Sequence, residues 1–173
     1  MTSTTSTSSA TTADAARLLS ALEGQQHRIL GILDGLDEQT LRRPVLPSGW
    51  SCLGMVQHLT GMTWFWFVEV MGGRRGEHPV GDSFQVPADL PAADVLDACR
   101  RRIPMANAAV RDLPLSTEPA WWPEGVFGDW RLQSLAEVLT HVVVETSCHT
   151  GHLDVVRELI DGRTWSWQHG RLA

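Results

Sequence analysis

Apolar residues recur at helical spacing in four stretches of the chain, and none keeps up the strict alternation of a half-buried strand. The first stretch runs from about Asp14 to Leu36, with Leu18, Leu19, Leu22, Ile29, Leu30, Ile32 and Leu33 as its apolar positions. It ends near Gly35, and the following DEQTLRRPVLPSGW holds two prolines that a helix interior excludes. The second begins at Ser51, whose hydroxyl can accept from the free amides of a first turn, and continues through His58 to about Met71. Gly72 and Gly73 stop it. The third covers roughly Ala88 to Leu113, where Pro104 predicts a kink or a division because it removes a backbone donor. The fourth runs from about Leu132 to Ile160 and ends at Gly162.

Two long connections separate these elements. One is the Gly/Pro-rich GGRRGEHPVGDSFQVP; the other, PLSTEPAWWPEGVFGDW, carries three prolines and three tryptophans. A loop of that length is usually functional or disordered, and its tryptophans argue against disorder. Four long helices with such loops predict an all-α, antiparallel four-helix bundle, an architecture that often builds metal sites between facing helices. At 173 residues the chain fits a single domain, residues 14–173, preceded by a disordered Thr/Ser-rich leader, residues 1–13. That leader has neither the charged nor the apolar region of a signal peptide.

Composition narrows the function classes. A net charge of -6 argues against nucleic-acid binding, which needs a basic face. The longest apolar run, MTWFWFVEVM, is too short for a membrane span and contains Glu69. Cys52, Cys99 and Cys148 are too few and too scattered for a disulfide framework, which fits a reducing, cytoplasmic setting. Eight Trp beside no Tyr point to apolar aromatic packing around a cleft or core.

The candidate chemistry lies in the fourth stretch, around ETSCHTGH. At about 100° per residue, His141, Glu145, His149 and His152 fall within roughly 80° of arc. Leu135, Val142 and Leu153 flank this arc on one side; Val144, Val155, Leu159 and Cys148 flank it on the other. Ser147, Thr150, Asp154, Arg157 and Glu158 are expected on the opposite face, with Leu139 and Val143. Ionisable groups on an apolar side need partners or a metal. A hydrogen-bonded core network would satisfy them, but a metal accounts for all four together. Residues four apart on a helix can point two donors at one ion, and both His141/Glu145 and Glu145/His149 have that spacing. A third ligand is expected from another helix. His58 is the candidate, since Met55, Met62 and Phe65 share its face.

RRPVLPSGWSCLGMVQHL at 43–59 and HVVVETSCHTGHLDVVRELIDG at 141–162 resemble the DinB-like superfamily, in particular its actinobacterial branch of mycothiol-dependent maleylpyruvate isomerase and mycothiol S-transferases. The resemblance extends more weakly over most of residues 14–162. It implies a four-helix bundle of unusual connection order. It also implies metal ligands His58, Glu145 and His149, with the Glu-then-His order of the maleylpyruvate isomerase branch. His141 and His152 then flank the ligands, His152 standing where many relatives have Gln. The implied metal is a divalent ion, zinc first, with nickel, iron or manganese as alternatives. The implied activity is thiol transfer: mycothiol, activated at the metal, attacks a small electrophile. Two neutral His and one carboxylate leave a divalent site with net charge +1, which favours an incoming thiolate. With only Arg163 to Ala173 after the last helix, the isomerase's additional C-terminal domain is not expected, nor is isomerase activity itself.

Two further classes compete: a non-catalytic metal-binding stress-response protein and a metal-dependent hydrolase. The hydrolase lacks a spare base if Glu145 is a ligand. Arg42 with Arg43, and Arg74 with Arg75, read either as solvated charges or as holders of a bulky thiol's polar groups. Arg74 and Arg75 are the candidate cofactor contacts. Trp121, Trp122 and Trp130 form either a lid or a satellite hydrophobic cluster. Cys52, in a first helical turn, could have its thiol activated by the helix dipole, whereas Cys148 is expected to pack as a small apolar residue. His27, His78 and His169 carry no readable signal. Exposed helix faces would suit a homodimer.

Overall fold

A computed structural model describes the backbone of residues 4–76 and 84–173, with side chains from residue 14 onward in those ranges. Among the described residues five α-helices carry the fold: α1 (Thr4–Ile32), α2 (Glu38–Arg42), α3 (Cys52–Trp64), α4 (Ala92–Val110) and α5 (Leu135–Asp161). A π-helical segment, Phe65–Met71, continues α3, and a short antiparallel hairpin, β1 (Trp165–Ser166) with β2 (Arg171–Leu172), follows α5. The described residues are all-α apart from that hairpin. α1 lies along α5, α5 along α3, and α3 along α4. His78 and the expected leader's side chains lie outside the described residues; the backbone of α1 begins at Thr4.

The boundaries follow local chemistry. Ser51 caps α3 by accepting from Gly54 N at 3.1 Å, and Ser134 caps α5 by accepting from Glu137 N at 3.4 Å. Gly162 ends α5 in the left-handed region at φ 79°, where a side chain would be strained. The connection after α1 contains one element that its prolines hid. Asp37 accepts from Thr40 N at 2.8 Å and starts the single-turn α2, which stops just before Pro44.

Two expectations are corrected. Pro104 does not divide α4: the helix runs unbroken from Ala92 to Val110. Pro104 and Arg100, the residue whose carbonyl loses its donor, are both exposed, so solvent can take the place of the missing hydrogen bond. The second correction concerns the rotation of α5. Its buried face includes Thr146, Thr150 and Arg157, whereas Val144, Val155 and Leu159 are exposed. The reason is tertiary. Arg157 is only 2% exposed because its guanidinium donates to the carbonyls of Ile32 at 2.7 Å and Asp34 at 2.8 Å, at the end of α1. It also pairs with Asp161 at 2.8 Å, so the buried charge is neutralised and capped. Thr150 satisfies its hydroxyl on the carbonyl of Thr146, one turn back. The His/Glu stripe therefore lies at the edge of the buried face, half-covered and half-open.

Candidate metal centre

α3 and α5 bring three of the expected ligands together. His58, Glu145 and His149 each offer a donor atom, and these atoms all lie within 4.8 Å of one another. The i, i+4 spacing on α5 sets His149 Nε2 3.4 Å from Glu145 Oε2. The His58 ring stands nearly perpendicular to that of His149, with centroids 5.0 Å apart. All three side chains are half-buried, so the cluster has protein on one side and access on the other. Among the described residues this is the one group of His, Cys, Asp and Glu with metal-ligand geometry.

The donor set suits a divalent ion chemically. A ligating imidazole must be neutral. Burial, foremost, holds the His149 imidazole below its ordinary titration range; neighbouring His58 adds to this, and the charge of Glu145 opposes it. His149 thus favours the deprotonated form that coordination requires. Two imidazoles and a carboxylate are compatible with zinc and with several other divalent metals.

Three neighbours shape the mouth. Phe84 stacks on His58, with centroids 4.3 Å apart and planes 20° from parallel. His152 sits at the exposed rim, its Nδ1 3.4 Å from His149 Nδ1, and Trp50 approaches it at 6.4 Å. Phe84 was not legible as a site residue because it belongs to a loop far from both motifs in sequence. A trace of it lies in Gly54, one turn before His58. A Cβ there would sit 2.0 Å from the carbonyl oxygen of Phe84, so α3 needs a glycine for the loop to close over His58.

His141 lies outside the three-residue cluster. It is packed against Trp66, at 4.9 Å, and Trp130, at 5.4 Å. Burial, foremost, pushes its imidazole down, against the pull of Glu145. Trp66 comes from the π-helical segment and collects Trp122, Phe127 and Trp130 around it, at 5.7, 5.7 and 6.0 Å. Such segments often accompany functional sites. The Trp-rich connection is tied down by Trp121 N to Val70 O at 3.1 Å and Leu135 N to Thr117 O at 2.8 Å. Its aromatic rings form a packed wall that reaches His141, one turn of α5 from Glu145.

The remaining candidates separate. Arg74 and Arg75 are exposed beyond the π-helical segment, whose end is roughly 20 Å along the helix from His58. Arg75 lies 6.0 Å from the Trp121 ring. Arg42 is committed to structure: it pairs with Glu38 and donates to the carbonyls of Pro87 and Leu90. Cys52 is buried, which pushes its thiol up to about 11, so the dipole does not activate it. Cys148 is exposed rather than packed. His27 stands beside Trp165 at 6.1 Å, and His169 bonds Ser166 at 2.9 Å; neither approaches the cluster.

No helix among the described residues is long and apolar enough to cross a membrane. Compared with known families, the chain matches the model of the family described as mycothiol-S-transferase over residues 17–162. No curated protein and no solved structure matches it.

Proposed function

The chain belongs to the DinB-like mycothiol S-transferase family, and on that premise we propose that it joins a low-molecular-weight thiol, mycothiol, to a small electrophile at a divalent metal. The observation that carries this reading is the convergence of His58 from α3 with Glu145 and His149 from α5, donor atoms within 4.8 Å. These three residues hold the ion, zinc in the first instance. Bound there, it supplies a positive centre that lowers a thiol's pKa and favours the thiolate at neutral pH.

The chain's own residues supply the rest. Phe84, stacked on His58, fixes that imidazole and shields one side of the site from water. The half-exposed flank of Glu145 leaves room for the thiol to enter. The aromatic wall of Trp66 and Trp130, with His141, lies one turn along α5 and offers an apolar surface on which an electrophile rests. In the transfer, the thiol gives its proton to solvent and its sulfur forms a bond to the electrophilic carbon. The bond from that carbon to the leaving group breaks, the leaving group departing with the electron pair. Arg74 and Arg75 lie at the distal end of this seam and suit only the remote polar groups of an extended thiol. Residues 14–173 act as one cytoplasmic domain, with the leader outside it.

The hydrolase reading loses its base, because Glu145 belongs to the ligand set. Cobalt substitution separates the remaining readings. Mycothiol added to the cobalt-loaded protein is expected to produce an intense near-ultraviolet charge-transfer band. The same band is expected in the Cys52→Ala, Cys99→Ala, Cys148→Ala triple variant. His58→Ala, Glu145→Ala and His149→Ala should each lose stoichiometric metal, while His152→Ala weakens it about 10-fold. Tight metal binding without any thiol effect would leave a non-catalytic metal protein.

A further inference from the structure

Away from the α3–α5 seam, α1 and α4 enclose a groove that none of the metal-site residues touches. Its first part is a cavity of about 360 Å³, within the range of small-molecule sites. Leu30, Cys99, Ile103 and Pro104 give it an apolar lining. The two amides in its wall satisfy each other: Asn107 Nδ2 donates to Gln26 Oε1 at 2.7 Å and Gln26 Nε2 to Asn107 Oδ1 at 3.4 Å. This wall therefore makes little polar demand on an occupant. Cys99 adds no nucleophile, because burial pushes its thiol up. Pro104 is an expensive residue for a helix interior, and its ring is part of this lining.

The cavity continues, through the shared residues His27, Leu30 and Arg100, into a depression of about 450 Å³ beside the C-terminal hairpin. The character changes there. Arg100, Arg163 and Arg171 line it against a single carboxylate, Asp34. Arg100 pairs with Asp97, but no described carboxylate comes within ion-pair distance of the Arg163 or Arg171 guanidinium. Asp161 lies close enough to Arg163 to feel its charge, but Arg100, Arg163 and Arg171 still outnumber the one carboxylate in the lining, at one end of an apolar slot in a chain of net charge -6.

We propose that this groove is a second binding site, for an amphiphilic organic anion: an aliphatic chain in the α1–α4 slot and a carboxylate on Arg163 and Arg171. The apolar part contributes through burial of the chain, and the guanidiniums contribute fork-shaped donor sets that match a carboxylate. The site stands independently of the metal centre and of the transferase reading.

Calorimetric titration of the full chain with octanoate, hexanoate and octanol tests both ends. Octanoate is expected to bind saturably with one site. Hexanoate, shorter by two methylenes, should bind about 15-fold more weakly if the chain is buried. Octanol should bind at least about 10-fold more weakly than octanoate in wild type, and about equally in the Arg163→Ala, Arg171→Ala double variant. Both arginines are exposed, so that variant should fold normally, as its circular dichroism and urea midpoint would verify. Equal binding of octanol and octanoate by wild type would overturn the proposal, as would octanoate binding unchanged in the double variant. Loss of octanoate binding in His149→Ala would place the ligand at the metal centre and would also overturn it.

Discussion

Glu145, His149 and His141 sit on successive turns of one helix edge, yet their surroundings divide the work. Glu145 and His149 face His58, whereas His141 faces Trp66 and Trp130. An imidazole that burial holds below its ordinary value of about 6.5 takes up its proton first in the unfolded chain. Within that window the unfolded state binds more protons, so stability rises with pH and is lost on acidification below about 6.5. Metal-free protein should therefore unfold at lower urea as the pH drops from neutrality toward the folded-state value. His141→Phe, which keeps the aromatic packing, should show a shallower dependence, with His149 supplying the remainder in the same direction. An unchanged slope in urea titrations would show that His141 is not held neutral by its tryptophan wall.

At the level of elements, the site depends on how closely α3 approaches the loop that carries Phe84. Gly54 provides that approach, because the atom a Cβ would meet at 2.0 Å is backbone and cannot swing away. Gly54→Ala should cost about 1–3 kcal/mol by forcing the two segments apart. It should also weaken metal binding, because displacement of Phe84 removes the stack that fixes His58. The urea midpoint reads the first effect and competition with a chelator reads the second. A variant as stable as wild type with full metal affinity would show that the loop closes without this contact. The other decisive element contact, Arg157 on the end of α1, sets the rotation of α5 and hence which of its edges meets α3.

Across the whole molecule, the candidate ligands come from two helices that are separated in sequence by the entire α4 and both long connections. An ion held by His58, Glu145 and His149 links α3 to α5 and binds only the folded chain. At a free-metal concentration of about 100 times the dissociation constant it should add about 2.7 kcal/mol of stability. For a chain of this size that corresponds to a melting temperature higher by about 5–10 °C. Scanning calorimetry with zinc should show the rise, a chelator should reverse it, and His149→Ala should show none. An identical melting temperature with and without metal would mean that the cluster does not bind in its folded arrangement.

The four long helices, the cap at Ser51 and the stop at Gly162 were legible in the sequence because each rests on neighbours within a few residues. The pairing of Glu145 with His149 is of the same kind: a spacing of four on a helix sets it whatever surrounds the helix. The choice between Glu145/His149 and His141/Glu145 is not local. What the fold adds is that α3 places His58 beside Glu145 and His149, while the π-helical segment places Trp66 against His141. Which side of α5 turns inward was also beyond periodicity, because a threonine and an arginine count as polar until their acceptors are known. Thr150 finds its acceptor one turn back in its own helix, but Arg157 finds carbonyls on α1, more than a hundred residues away in sequence. Only the folded chain brings those carbonyls to the guanidinium, so only the tertiary structure could bury that charge and leave the edge that carries Glu145 and His149 half open.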